Sequence, residues 1–347
     1  MNVGVVGCGY WGSKHVRVLH GIPDVTRVIA VDSNEQRLHG LKQAFPGIAT
    51  YPDLPSALDR VDAIIIATPP RSHARLALTT MAAGKSVLVE KPLATASVDA
   101  CRLAEEAAAR SLVLMVGHTF EYNAAVWKLQ ELVQSKELGR IYYLDSARLN
   151  LGLYQSNVNV IWDLAPHDVS IFNYVLGATP VSVQAWGSRH GHRHLEDVAY
   201  LRLMYADPEV TATARVSWLD PCKVRRTTVV GSRKMAVYDD LASEEPIRIF
   251  DKGLVPPEDV GEPQDIPISY RYGEIRAPYV LFEEPLSVQD REFVSCVLAG
   301  RRPRTDAENG LAVVRVLEAA NLSLEIDAPV QLDQVPLGGR EQLVKAS

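Results

Sequence analysis

The feature that most constrains this chain lies at its start. Val3-Gly4-Val5-Val6 runs straight into Gly7-x-Gly9-x-x-Gly12, and Val28-Ile29-Ala30-Val31 then ends on Asp32. Each part has a separate physical job. The short apolar run has the texture of a buried strand, and the glycines allow the tight turn that follows and a helix packed close behind it. A strand, a helix and a second apolar strand in this order form a crossover unit, which builds only parallel sheet.

The same spacing predicts a dinucleotide site. Gly7, Gly9 and Gly12 let backbone approach a pyrophosphate, and the helix that follows presents its N-terminal amides and positive dipole end to the phosphates. Tyr10 and Trp11 stand inside this turn and count with the glycines as cofactor contacts. Asp32 closes the second strand, where a carboxylate accepts ribose hydroxyls. A 2′-phosphate there would meet like charge. Ser33 and Asn34 supply no cation, and Arg37 is expected one helical turn away on a solvated face. NAD is therefore expected over NADP, with Ser33 beside the ribose. The alternative for Asp32 is an N-cap of the helix over 34–45, a role that Ser33 fills equally well.

The first 119 residues alternate strand and helix patterns. Strands are predicted at 2–6, 27–32, 62–67, 86–90 and 112–117, nearly continuous in apolar residues, as strands buried on both faces should be. Helices are predicted near 11–21, 34–45, 71–83 and 97–110. The expected architecture is a doubly wound parallel sheet, whose ligands bind beyond the carboxyl ends of the strands. From residue 120 the texture changes. A helix at 123–135, a strand at 140–150 and a helix near 164–176 precede strand-like stretches at 180–187, 197–205, 210–218, 224–231 and 234–239. Alternation such as Thr211-Ala-Thr-Ala-Arg-Val-Ser-Trp218 suits an antiparallel sheet with one open face. Late helices are predicted at 286–299 and 306–325. Gly300 is placed to end the first, and Thr305 with Glu308 to open the second as a capping box. The stretch 251–284, rich in proline and charge, is read as a loop. The fold class is α/β: residues 1–119 form the cofactor domain, and 120–347 form an α+β domain for substrate and oligomerisation.

Composition narrows the function classes. The 347 residues are 47% hydrophobic and 22% charged, with a net charge of −6, which suits an ordinary globular protein and gives no basic footprint for nucleic acid. The longest apolar runs, such as 63–67, are of strand length, so no membrane partner is expected. A first strand beginning at residue 2 leads to the expectation of a cytoplasmic protein without a signal peptide. Cys8, Cys101, Cys222 and Cys296 are widely separated and form neither a disulfide framework nor a zinc motif.

The residues with chemical potential follow the predicted strands. Thr68-Pro69-Pro70-Arg71-Ser72-His73 is an extended turn at the sheet's carboxyl edge. It either lines the cofactor site through Thr68, Pro69, Pro70 and His73 or serves as a rigid connection. Glu90-Lys91-Pro92 ends the next strand at the same edge, and Glu90 and Lys91 count among the expected cofactor contacts. A lysine there can hydrogen-bond a substrate hydroxyl and stabilise an alkoxide as hydride leaves, although a lone lysine after a strand is more often a solvated charge. Asp163 and His167, four apart, share a helical face, and a histidine oriented by a carboxylate is a good general base for a secondary alcohol. The bland reading is an Asp163 N-cap, with Pro166 in the first turn, and a structural histidine. His118, Phe120, Tyr122 and Asn123 follow the last strand of the first domain and, with Arg148 and Asn150, can bond a polyhydroxylated ligand. Lys223, Arg225 and Arg226 form a basic cluster suited to a phosphate, or equally to a subunit contact. Arg189-His190-Gly-His192-Arg193-His194 is read as a polar hairpin loop, because its arginines repel a cation; no metal is expected.

Together, Gly7-Cys-Gly9-Tyr-Trp-Gly12, Thr68-Pro-Pro, Glu90-Lys91-Pro92 and Asp163-x-x-x-His167 stand in the order and spacing of the Gfo/Idh/MocA oxidoreductase family, which the chain resembles over essentially its whole length. Gly117-His-Thr-Phe120, Arg148-x-Asn150-x-Gly152 and Trp162-Asp-Leu-Ala-Pro-His167-Asp168 resemble its bacterial nucleotide-sugar 3-dehydrogenases, which act on UDP-N-acetylglucosamine or its uronic acid. The resemblance implies an N-terminal Rossmann domain, a C-terminal domain with an open-faced, mostly antiparallel sheet, and an active site in the cleft between them. It implies Lys91 and His167 at the reacting hydroxyl, with Asp163 orienting His167 and hydride passing to NAD. It further implies a homodimer or homotetramer built through the open sheet face. A cyclitol or free-sugar dehydrogenase, a deoxysugar ketoreductase and a catalytically silent NAD-binding regulator remain as alternatives.

Overall fold

A computed structural model describes residues 1–152, 154–191, 193–255 and 269–335. The chain divides into two compact units, Met1–Tyr122 with Glu283–Glu318 and Val335–Ser347, and Asn123–Phe282 with Ala319–Gln334.

The first unit is the doubly wound sheet. Its strands are β1 (Asn2–Val6), β2 (Arg27–Val31), β3 (Ala49–Tyr51), β4 (Ala63–Ile66), β5 (Ser86–Glu90) and β6 (Leu114–Gly117). They are hydrogen-bonded in the order β3-β2-β1-β4-β5-β6, all parallel. The chain reverses its winding between β1 and β4, the switch point at which such sheets bind ligands. Helices α1 (Tyr10–Leu19), α2 (Glu35–Ala44), α3 (His73–Ala82) and α4 (Ser97–Ala109) make the crossovers. The predicted strands and helices are thus present within a few residues, and β3 is a short addition at the sheet edge. Ile64, Ile65 and Ile66 are wholly buried, as a two-faced parallel strand requires.

Two glycines are sterically compulsory. Gly7 has φ +88°, and an added Cβ would lie 2.7 Å from Thr68 Cγ2. At Gly12 an added Cβ would stand 1.7 Å from the Gly7 carbonyl oxygen. The third glycine thus lets α1 pack against the turn that precedes it.

The second unit holds a nine-stranded sheet and helices α5 (Ala124–Gln134) and α6 (Val160–Leu176). Its strands are β7 (Ile141–Leu149), β8 (Ser182–Ser188), β9 (Val198–Ala206), β10 (Glu209–Ser217), β11 (Val224–Gly231), β12 (Met235–Asp239), β13 (Ile247–Val255), β14 (Ser269–Arg276) and β15 (Val330–Gln331). Their order is β14-β13-β12-β11-β7-β10-β9-β8-β15, antiparallel except for the β7–β10 pair. Burial alternates along the strands: Ala199, Leu201, Leu203 and Tyr205 face inward while Tyr200 and Arg202 face out. α6 packs on β7, β9 and β10, and α5 on β12 and β13.

The local sequence reading departs from the structure in four places. The stretch expected to be a loop from 251 carries parts of two strands, β13 and β14, whose pairing is a tertiary event; residues 256–268 lie outside the described residues. α6 begins four residues before the predicted start because Asn159 caps it, accepting from Trp162 N at 3.3 Å. Asp163 therefore stands inside the helix and Pro166 in its interior, so the reading of Asp163 as N-cap fails. The predicted capping box at Thr305 does not form. Thr305 Oγ1 donates to Val116 O at 2.7 Å, and Asp306 Oδ1 instead accepts from Asn309 N at the start of α8 (Ala307–Ile326). Finally, Glu283–Glu318, which carries α7 (Pro285–Ala299) and the first turns of α8, packs with the first unit, so a single division of the chain after residue 119 does not describe it. Gly300 does end α7, in the left-handed conformation with φ +61°.

The clash at Gly12 yields a test. Gly12→Ala is expected to cost on the order of 1–3 kcal/mol of stability and to abolish measurable NAD binding, read by thermal melting with and without NAD. A variant that melts like the parent and binds NAD normally would contradict the packing described.

Candidate functional site

The cofactor half of the site is built in the first unit. Gly9 caps α1 without a side-chain bond to the first-turn amides, and a Cβ there would meet nothing closer than Arg37 Nη1 at 3.9 Å. The helix N-terminus is thus left open to an anion, the arrangement a pyrophosphate needs. Asp32 is held by two backbone donors, with Cys8 N on Oδ2 at 2.7 Å and Asn34 N on Oδ1 at 2.8 Å. Asn34 takes the cap of α2, accepting from Gln36 N and Arg37 N, so Asp32 is not the cap. Ser33 is exposed beside it. Arg37 departs from the expectation: rather than pointing to solvent, its Nη1 lies 3.4 Å from Asp32 Oδ2. A long side chain on the first turn of a helix leans toward the N-terminus and reaches back to the carboxylate before it. Tyr10 and Trp11 are exposed and packed edge to face at 5.4 Å, with Lys14 Nζ 4.1 Å from the Tyr10 ring centroid. These residues fit NAD.

At the adjacent strand ends, Thr68, Pro69 and Pro70 are at least partly exposed, and Ser72 Oγ donates to Thr68 Oγ1 at 2.7 Å. His73, expected at the cofactor, is completely buried. Its ring nitrogens lie 2.8 Å from the carbonyl oxygens of Pro92 and Thr68, so it straps the two turns together from behind. Glu90 also turns inward. Its carboxylate sits 3.0 Å from His15 Nε2, and His15 Nδ1 lies 2.9 Å from Asp290 on α7. Burial opposes charge on this imidazole, but Asp290 and Glu90 together outweigh it and raise its pKa to about 10. Lys91, half-buried, follows with its backbone N–H on Glu90 Oε2 at 3.2 Å. The role of His15 was not legible locally, because its partner is 275 residues away.

The loop after β6 corrects the sequence reading further. His118 is fully buried, its ring nitrogens have no hydrogen-bond partner among the described residues, and burial pushes its pKa down to about 4. Tyr122 is a core residue whose hydroxyl lies 3.0 Å from Thr305 Oγ1. Both lack the exposure that a substrate contact requires. Phe120 remains partly exposed.

The second unit carries the two residues expected to act as an acid–base pair. Asp163 and His167 are half-buried on one face of α6, one turn apart. Trp218, immediately after β10 and 1% exposed, donates its indole N–H to Asp163 Oδ2 at 2.9 Å. Arg148, expected to face substrate, is buried instead, because its guanidinium grips Asp168 with Nε–Oδ2 at 3.0 Å and Nη2–Oδ1 at 3.3 Å. This fork seats α6 on β7 beside His167. Asn123 caps α5 through Ala125 N and donates to the Tyr238 hydroxyl, a structural use. Asn150 is partly exposed next to the strand-end loop. The 189–197 segment joins antiparallel β8 and β9 and is tied down by Arg189–Glu196 and His190–Asp197 pairs; His192 lies outside the described residues. Among the described residues no helix is long and apolar enough to cross a membrane.

A glycine turn at an open helix end, backed by a paired acid on the second strand, defines an NAD-binding Rossmann unit, and the comparisons agree. Residues 1–118 match the oxidoreductase family with NAD-binding Rossmann fold, and residues 126–237 match the Gfo/Idh/MocA C-terminal domain. The chain belongs to the Gfo/Idh/MocA oxidoreductase family, and its cofactor is NAD. Inositol 2-dehydrogenase 2 of Saccharopolyspora erythraea is 31% identical over 216 residues, which cover 60% of this chain and 63% of that protein. UDP-N-acetylglucosamine 3-dehydrogenase of Acidithiobacillus ferrooxidans is 32% identical over 188 residues, 54% of this chain and 58% of the relative. Both alignments span less than two thirds of the relative. Among solved structures, GenD2 from gentamicin A biosynthesis, in complex with NAD, superimposes with a TM-score of 0.79 at 26% identity, covering 95% of this chain and 96% of that one.

The buried imidazole makes stability pH-dependent in a defined sense. A pKa raised from 6.5 to about 10 contributes stability that is complete below pH 6.5 and is lost as pH rises through 10. The melting-temperature gap between the parent and His15→Gln is therefore expected to narrow steadily from pH 6.5 to pH 10. A gap that stays constant across that range would contradict a charged His15.

Proposed function

We propose that this chain is an NAD-dependent dehydrogenase that oxidises a secondary ring hydroxyl of a sugar, C3 of a UDP-sugar in the leading reading. The observation that carries the reading is the Asp163–His167 pair, one turn apart on α6, with the Asp163 carboxylate anchored by an indole N–H. His167 takes the hydroxyl proton, the general-base role an imidazole nitrogen can fill. Asp163, one turn away on the same helix face, is assigned to orient that imidazole. Lys91 hydrogen-bonds the same oxygen and stabilises the alkoxide as the C–H bond breaks. NAD held at the glycine turn would act as hydride acceptor, so that the alcohol would become a ketone with its proton on His167. Thr68, Pro69, Pro70, Tyr10 and Trp11 border the cofactor, and Phe120 and Asn150 border the substrate.

A second reading, a cyclitol or free-sugar dehydrogenase, draws support from the buried Arg148–Asp168 pair. That pair occupies the cation that a diphosphate would otherwise use. Arg225 is likewise within 3.3 Å of Asp240, which leaves Lys223 and Arg226 as the exposed members of the basic cluster. The joint presence of Lys91, Asp163 and His167 counts against a catalytically silent NAD-binding regulator.

Self-association is the partner reading. Trp186 and Tyr200 stand 5.4 Å apart on the outward face of β8 and β9, and Tyr143 is exposed on β7. Aromatic residues grouped on an open sheet face mark a contact surface, and the proposed assembly is a homodimer or homotetramer through it.

Two experiments test these readings. NADH formation is measured with NAD and UDP-N-acetylglucosamine, its uronic acid, myo-inositol or scyllo-inositol. Turnover of a nucleotide sugar is expected, and turnover of an inositol alone selects the second reading. Lys91→Met and His167→Ala are expected to lower kcat by about two to four orders of magnitude with NAD affinity retained; parental turnover in either contradicts its assignment. By light scattering, the native mass is expected at two or four times 38.2 kDa, shifting toward one copy in Trp186→Glu. A single-copy mass for the parent contradicts the assembly.

A further inference from the structure

The proposed base has an orienting carboxylate, and that carboxylate is itself held by a residue outside the helix. Trp218 follows the last residue of β10 and is fixed at every point. Its backbone N–H donates to Asp197 O at 2.9 Å, and its carbonyl accepts from Gly152 N at 3.0 Å. Tyr154 packs on its ring with centroids 5.4 Å apart. Tyr154 is braced in turn: its hydroxyl lies 3.5 Å from Asp197 Oδ2, and its ring lies so close to Gly191 that a Cβ there would stand 2.6 Å from Cε1. Asp197 Oδ2 also accepts from the backbone N–H groups of His190 and Gly191 at 2.8 and 2.6 Å.

Indole nitrogen is a donor only, and a buried indole N–H without a partner is costly. Trp218 therefore offers Asp163 one hydrogen bond of fixed direction. A carboxylate that is free to turn presents either oxygen to a neighbour. One whose Oδ2 is bound to a rigid donor can turn only by breaking that bond, so its second oxygen is restricted as well.

We propose that Trp218 is a positioning residue for the dehydrogenase reaction, acting through Asp163 to hold His167 ready as base, with Tyr154 and the β8–β9 loop as its brace. The inference rests on the proposed role of Asp163 and His167. It assigns a function to a residue that carries no titratable group and stands 55 positions from its partner.

The test is a double-mutant cycle with the parent, Trp218→Phe, Asp163→Asn and the double variant, assayed with NAD and UDP-N-acetylglucosamine or myo-inositol, whichever the parent oxidises. Phenylalanine keeps an aromatic ring in the site and removes the N–H. Trp218→Phe is expected to lower kcat about tenfold, the size of one hydrogen bond to a charged group, with KM for the substrate and Kd for NAD unchanged. In the Asp163→Asn background the same substitution is expected to add nothing, because its effect passes through the carboxylate. Full additivity, a change confined to KM, or parental kcat in Trp218→Phe overturns the inference while leaving the base assignment intact. Parental kcat in Asp163→Asn, or a parent inactive on both substrates, overturns the underlying reading instead. Should Trp218→Phe not fold, benzothienylalanine at position 218 replaces the N–H with sulfur in a bicycle of the same shape, and the same outcomes apply.

Discussion

One buried imidazole organises the cofactor unit. His15 on α1 lies between Glu90 at the end of β5 and Asp290 on α7, with no exposure to solvent. Two carboxylates in a dry interior repel each other, and a proton on the ring between them turns that repulsion into two charge-assisted hydrogen bonds. The same contact links three segments that are distant in sequence: the helix behind the glycine turn, the strand that delivers Lys91, and the late helix that returns to the first unit. Glu90 is consequently committed to the interior, so the Lys91 turn has a fixed base. Gly117 belongs to this arrangement, since a Cβ there would stand 3.0 Å from the Glu90 carboxylate. Leaving a carboxylate unpartnered at such a site costs about 3–5 kcal/mol, enough to affect folding as well as placement.

The second unit uses the same means for a different purpose. α6 is seated along its length by side chains from the sheet and its loops. Asn159 at its start donates to Glu196, Asp163 accepts from Trp218, and Asp168 is gripped by Arg148. These contacts come from different strands and loops, and each fixes one turn of the helix. A helix held in this way presents His167 with little freedom to rotate, which its proposed role as general base requires if its reach is to match a hydroxyl.

Much of the first unit was legible because its signals are local. A glycine turn, apolar strands and amphipathic helices at short spacing specify a parallel sheet with right-handed crossovers, whereas the short edge strand β3 and the order of the strands had no local signal. The alternation in β9 and β10 likewise marked a sheet with one open face. Illegible features were those decided by partners far along the chain. His118, Tyr122 and Arg148 have the chemistry of ligand contacts, yet two are buried within the first unit and the third is spent on Asp168. Thr305 has the pattern of a capping box, but its hydroxyl finds a better acceptor in Val116 O. His15, Asp290 and Trp218 carry no local signature, because their significance lies in contacts that only the folded chain makes.

The central claim is that a ring C–H of the substrate is the source of hydride. Its most direct test is isotopic transfer, with UDP-N-acetylglucosamine and myo-inositol each deuterated at the ring carbons and incubated with the protein and NAD in ordinary water. The account predicts that the NADH formed carries one deuterium on the nicotinamide ring and that turnover is slower than with the protiated substrate. NADH without deuterium, or none from either compound, would contradict it.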